Sequence, residues 1–191
     1  MFSFRDRSKM IQALTEQTFD LVIIGGGITG AGVALQAAAS GLSVALLEMQ
    51  DFAEGTSSRS TKLVHGGLRY LKTFDVEVVA DTVSERAIIQ GIAPHIPKAD
   101  PMILPIFDEP GSTFNLFSVK IAMDLYDHLA GITGGKYANY LLSKEEVLAR
   151  EPQLASDGLL GGGVYLDYRN NDARLVIENI KRAVADGALA V

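Results

Sequence analysis

Asp20-Leu21-Val22-Ile23-Ile24-Gly25-Gly26-Gly27-Ile28-Thr29-Gly30-Ala31-Gly32 is the stretch whose reading decides the fold. An apolar run, residues 19–24, predicts a strand. It enters a glycine-rich turn in which Gly25, Gly27 and Gly30 fall on G-x-G-x-x-G. Residues 28–40 then read as a helix, and residues 43–47 as a second strand ending at Glu48. Each part has a physical role in dinucleotide binding. Gly25 permits the tight turn, Gly27 lets backbone approach a pyrophosphate, and Gly30 lets helix and strand pack closely. The helix start at Ile28 and Thr29 offers N–H groups and a positive dipole end to phosphate oxygens. Glu48 stands 23 residues after Gly25, where an acid hydrogen-bonds ribose hydroxyls, with Met49 beside it. An acid there favours an unphosphorylated ribose, so FAD or NAD over NADP.

A membrane span is the competing reading, since residues 21–47 contain no charge. Six glycines interrupt the run, and a buried parallel strand is continuously apolar for the same reason. We therefore read a βαβ unit.

The 191 residues suffice for a domain with a sizeable core, and 48% hydrophobic with 21% charged residues is an ordinary globular composition. The net charge of −6 argues against a nucleic-acid partner. The absence of cysteine excludes disulfides, thiolate metal sites and cysteinyl cofactor attachment within this stretch. No metal site is expected. Residues 1–16 are charged and amphipathic, without a secretory apolar core, which points to the cytoplasm or the cytoplasmic face of a membrane.

Further along, residues 3–15 predict an N-terminal helix. Residues 76–92 predict an amphipathic helix with Val76, Val79, Val83, Ala87, Ile88 and Ile92 apolar and the Asp, Glu and Arg residues between them polar. Residues 102–107 predict a strand. Residues 115–130 predict a helix with Phe117, Ile121, Leu125 and Leu129 on one face. Core packing is the preferred reading of that face, with peripheral membrane contact the alternative. Ser143 and Glu146 form a capping box. Residues 161–168 predict a glycine-led strand, and residues 172–186 a helix. Residues 188–191 read as a strand begun at the very end, so an incomplete domain is expected.

The segment after Glu48 is rich in hydroxyls, cations and glycines, and it leaves the sheet edge where an open α/β sheet binds ligands. Thr56, Ser57 and Ser58 offer hydroxyls to a pyrophosphate. Ser60, Thr61 and Lys62 offer donors to a flavin edge, where reduction places negative charge. Gly66-Gly67 suits backbone lying flat on a planar ring. His65 is an imidazole able to take a proton near neutral pH. Arg69 is a fork suited to phosphate, with Tyr70 beside it. Arg69 stands four residues after His65, one turn on if this stretch is helical. His95 and His128 read as structural.

These residues together resemble the FAD-dependent glycerol-3-phosphate dehydrogenases and oxidases. The resemblance runs through Gly25–Gly30, Glu48, Thr56-Ser57-Ser58, Ser60, Lys62-Leu63, His65-Gly66-Gly67-Leu68-Arg69-Tyr70-Leu71, Tyr126-Asp127, Tyr165, Asp167 and Asp172-Ala173-Arg174-Leu175. It is strongest to the α-glycerophosphate oxidase branch. It implies an α/β fold: a Rossmann-like FAD domain of glutathione-reductase type, incomplete, with part of a substrate-binding domain. The expected division is residues 19–75 for the βαβ unit and active-site segment, about 98–170 for the start of the substrate-binding part, and 172–191 for the return. It implies oxidation of sn-glycerol 3-phosphate to dihydroxyacetone phosphate, with FAD taking hydride and oxygen or quinone as acceptor. His65 is then the base, and Arg69 with Tyr70 the phosphate clamp. The rival readings are an amine or amino-acid oxidase and a non-catalytic dinucleotide-binding module. A homodimer is left open.

Overall fold

The computed structural model describes residues 3–110 and 115–191. The chain divides into two compact units. One comprises Met1–Lys62 and Asn170–Val191, the other Leu63–Arg169. The polar segment after Glu48 is thus shared out at Lys62.

In the first unit, helix α1 (Arg7–Glu16) precedes strand β1 (Leu21–Ile24), helix α2 (Ile28–Ala39) and strand β2 (Val44–Leu47). The chain returns as helix α6 (Asp172–Ala185) and strand β7 (Leu189–Ala190). The three strands are parallel in the order β1-β2-β7. This is one half of a doubly wound sheet. The α2 face is alanine: Ala31, Ala34 and Ala38 recur at helical spacing and are buried, so α2 lies close against Val176, Ile180 and Ala183 of α6. Asp20 ties the starts of β1 and β2, accepting from the Ser43 N–H and hydroxyl at 2.8 Å each. The sequence predicts a fully buried β1. Leu21 and Ile23 do face the alanine layer, but Val22 and Ile24 point away from it and are exposed.

The second unit is an antiparallel sheet carrying helices. Its long central strand β6 (Leu159–Arg169) pairs along β4 (Lys98–Phe107) on one edge. Its other edge takes β3 (Leu63–Val64) near the C-terminal end and β5 (Tyr140–Ser143) nearer the start. Helix α3 (Val76–Ile92), helix α4 (Leu116–Leu129) and the short helix α5 (Lys144–Arg150) complete it. Gly163 lets α4 approach the strand, since a Cβ there would lie 2.6 Å from the Met123 sulfur.

Two helix faces differ from the sequence expectation. Helix α4 buries Val119, Met123 and Tyr126, whereas Phe117, Ile121 and Leu125 are exposed. The helix carries two apolar stripes, and the sheet covers the one richer in hydrogen-bonding and flexible side chains. Helix α3 buries Val79, Val83 and Arg86, leaving Ile88 and Ile92 exposed. Within the first unit, the Lys62 carbonyl accepts from the Asn170 N–H at 2.8 Å, so the ends of its two stretches lie side by side. No helix among the described residues is long and apolar enough to cross a membrane.

Candidate functional site

The glycine turn of the first unit has a definite geometry. Gly25 has φ +109°, a conformation that a side chain disfavours. A Cβ on Gly30 would stand 1.9 Å from the Gly25 carbonyl oxygen. The close approach that Gly30 permits is therefore chiefly to the turn itself. A Cβ on Gly27 would meet only the Ser57 hydroxyl, at 3.4 Å, so the space before Gly27 is open to a ligand. Gly26 is excluded from carrying a side chain by Phe52, whose ring would lie 2.4 Å from its Cβ.

The helix α2 start follows. Its first N–H groups have no acceptor within the helix. The Ile28 N–H donates to Ser57 Oγ at 2.9 Å, which brings the Ser57 hydroxyl to the start of α2. Thr56–Ser58 is a single 3-10 turn, so Thr56 and Ser58 stand on either side of it. Thr29 is exposed at the helix mouth.

Glu48 is held by main chain. One carboxylate oxygen accepts from the Gly26 N–H at 2.7 Å and the other from the Gln50 N–H at 2.9 Å. Each oxygen has a further lone pair, so a ribose hydroxyl still finds an acceptor. A cavity of about 490 Å³ opens beside Glu48, with Arg7, Met10, Gln50 and Phe52 among its lining residues. Met49 is fully exposed.

The bonds from the Gln50 N–H and then the Gly26 N–H hold the Glu48 carboxyl below its ordinary value of 4.5. A folded-state pKa below the unfolded one contributes stability above the unfolded value and loses it as pH falls through the folded one. Glu48→Gln should thus melt below wild type at pH 7, and the gap should narrow in acid. Melting temperatures of the two proteins from pH 7 to pH 3 check this; a gap independent of pH would remove the carboxylate from the account.

Two of the three side chains expected at a flavin edge have partners within the protein. Lys62 Nζ turns back to donate to the Ser58 carbonyl. The Ser60 hydroxyl donates to Asp172, a carboxylate at the start of α6 and a stronger acceptor than a neutral ring edge. Thr61 is exposed.

The second unit holds the rest. The stretch around His65 is not helical. Strand β3 ends at Val64, exposed His65 follows, and Gly67 takes the left-handed conformation at φ +71°. Only then does the 3-10 turn Leu68–Thr73 begin. His65 and Arg69 are thus not one helical turn apart, because Gly67 reverses the chain between them. Arg69 is exposed. Its guanidinium lies 5.0 Å from the Tyr70 ring centroid and donates to the Tyr70 hydroxyl at 3.2 Å. That hydroxyl keeps its own proton available for a third group.

Gly66 is also required for a reason inside the protein. A Cβ there would lie 2.3 Å from the Tyr126 hydroxyl and 2.4 Å from Val83. Its N–H is shared between Tyr126 Oη and Asp167 Oδ1, at 3.0 Å each. Arg86, which the sequence places on a solvent face, is buried and pairs with Asp167 at 2.9 Å. Arg86 was discernible in principle. It falls on the Val79-Val83 stripe, three residues after Val83, and Asp167 interrupts an otherwise apolar strand. Burial pushes the Tyr126 phenol well above its usual range, and that of Tyr165 up to about 12.

A model of the FAD dependent oxidoreductase family (DAO) matches residues 20–191. The chain belongs to this family. Among its relatives, the α-glycerophosphate oxidase of Enterococcus casseliflavus is 76% identical over 190 residues, which cover all of this chain and 31% of the relative. The α-glycerophosphate oxidase of Lactococcus lactis is 69% identical over 192 residues, 32% of its length. The chain thus spans about a third of the length of these relatives. Among solved structures, the glycerol-3-phosphate dehydrogenase of Bacillus halodurans complexed with FAD superposes with a TM-score of 0.70 at 40% identity. That match covers this whole chain and 29% of that one. The FAD-dependent fold of the family accounts for the parallel half-sheet and its glycine turn.

Proposed function

We propose that this chain supplies the FAD-pyrophosphate site and part of the substrate site of an enzyme that oxidises sn-glycerol 3-phosphate to dihydroxyacetone phosphate and reduces oxygen to hydrogen peroxide. The observation that carries the reading is the 76% identity, along the entire chain, to an α-glycerophosphate oxidase. The lower identity to a dehydrogenase keeps quinone as the second acceptor to be tested.

The glycine turn fits FAD. The space before Gly27 takes the pyrophosphate, the start of α2 offers it the N–H groups of Thr29 and Gly30, and Thr56, Ser57 and Ser58 add hydroxyls. Glu48 takes the adenosine ribose, and the cavity beside it is large enough for the adenosine half. Bound FAD supplies a two-electron acceptor for the hydride on C2 of the substrate. His65 takes the C2 hydroxyl proton as that hydride leaves. Arg69 and Tyr70 hold the phosphate, the guanidinium as a fork and the phenol through its remaining proton.

The direct test is the anaerobic addition of glycerol 3-phosphate to the flavoprotein. The flavin absorption should bleach, and admitted oxygen should restore it with one hydrogen peroxide formed per dihydroxyacetone phosphate. Bleaching by amino acids instead would overturn the substrate class. Recovery only with quinone would replace oxygen as acceptor. Arg69→Ala should weaken glycerol 3-phosphate binding by about 1.5–3 kcal/mol, the scale of a hydrogen bond to a charged group. Glycerol, lacking the phosphate, should be oxidised as poorly by the variant as by wild type. Equal losses in kcat/KM for both substrates would move the phosphate site away from Arg69.

A further inference from the structure

Among the described residues of the second unit the ion pair between Arg86 and Asp167 is buried, and it is aimed at a peptide. Arg86 and Asp167 side chains are 2% and 3% exposed. Arg86 Nη1 donates to Asp167 Oδ1, to the Leu166 carbonyl and to the Tyr126 hydroxyl, all within 2.8–2.9 Å. The Tyr126 hydroxyl, kept protonated by burial, donates to Asp167 Oδ1 at 3.1 Å. Its two lone pairs are then filled by Arg86 and by the Gly66 N–H. The guanidinium also lies 5.4 Å and 4.6 Å from the ring centroids of Tyr126 and Tyr168.

A buried ion pair is a weak stabilising device, since well-packed apolar residues of equal volume usually do as well. What apolar residues cannot do is hold a backbone N–H. This network holds that of Gly66. The Gly66 carbonyl is held from the same helix: Thr82 Oγ1, one turn before Arg86, lies 2.9 Å from it and shares its proton with the Val78 and Val79 carbonyls. On the other side, Val64 is fixed in the sheet opposite Tyr168. His65 is the single residue between these two fixed points, with its backbone bracketed and its imidazole exposed.

We infer that Arg86, Asp167, Tyr126 and Thr82 are positioning residues that fix the Gly66 peptide and thereby aim the His65 imidazole at the substrate C2 hydroxyl. The inference rests on the reading of His65 as the base. None of the four need touch the substrate. Their work is geometric, and geometry is worth much: a misplacement of about 1 Å costs on the order of 100-fold in rate.

The test uses the FAD-loaded enzyme and the rate of flavin reduction by glycerol 3-phosphate in a stopped-flow instrument. Tyr126→Phe keeps the ring and removes the hydroxyl, while Asp167 still accepts from Gly66. Its limiting reduction rate should fall about 10-fold, part of the loss that full misplacement brings. Flavin content and the substrate dependence of the rate should be unchanged. The double variant with His65→Asn should be no slower than His65→Asn alone, because a residue acting through His65 has nothing further to lose. A purely structural role would instead multiply the two losses. Should Tyr126→Phe fail to fold, Thr82→Val, equal in volume, meets the same two criteria. The inference is overturned if the tested variant reduces its flavin at the wild-type rate, or if its loss multiplies that of His65→Asn. An undiminished rate in His65→Asn would overturn the reading of His65 as well, which separates the two failures.

Discussion

Gly30→Ala is expected to yield protein without flavin. The added methyl would lie 1.9 Å from the Gly25 carbonyl oxygen and 3.2 Å from its carbon. Both are backbone atoms that no side-chain rotation can move aside. Relief requires the turn to open or the start of α2 to withdraw, and either displaces the N–H groups from the pyrophosphate position. Overpacking a well-filled site ordinarily costs about 1–3 kcal/mol. Here the cost falls on the peptide units that form the cradle, so binding is lost before the fold is. Gly32→Ala is the matched control. It adds the same methyl two residues on, where nothing lies within 4 Å. It should keep full flavin and gain slightly in stability, since alanine exceeds glycine as a helix former by about 1 kcal/mol. The flavin-to-protein absorbance ratio of the two purified variants decides the matter. A yellow Gly30→Ala protein would refute the close-approach account.

His65→Asn should retain its flavin and lose on the order of 100-fold in the rate of flavin reduction, the usual scale for a general base. The asparagine amide cannot accept the proton, yet it is similar in reach and leaves the backbone bracket intact. Flavin content should not change, because the proposed pyrophosphate contacts are made by the glycine turn and Ser57, which the substitution leaves intact. An unchanged reduction rate would return His65 to a structural role.

The βαβ unit was legible because its signals are local: a run of strand formers, three glycines at fixed spacing, and an acid at the right distance. The α6 helix and β7 strand followed from the same periodicity. The second unit was less legible, for reasons that differ by residue. Helix α4 carries two apolar stripes, and periodicity alone cannot say which one the sheet covers. Arg86 reads as a solvent residue because a cation in a helix normally is one; its burial rests on distant partners, Asp167, Tyr126 and the Leu166 carbonyl, none of them near it in sequence. Gly66 was marked correctly as a place where a side chain cannot stand. One obstruction is Tyr126, 60 residues on, which no local pattern announces. Sequence shows that a glycine is required without showing what requires it. For Lys62 and Ser60 the sequence shows donors but not their partners within the protein, the Ser58 carbonyl and Asp172, which come from the local turn and from α6.

The hydrogen bond between Lys62 and Asn170 has a consequence for modularity. The chain departs from the dinucleotide-binding unit and re-enters it at residues already paired as the two arms of a hairpin would be. The first unit is thus built from two stretches of chain whose ends already meet at one hydrogen bond. Residues 63–169 could be lengthened, shortened or exchanged without moving either of those ends, so the unit is indifferent to how much chain is carried between them.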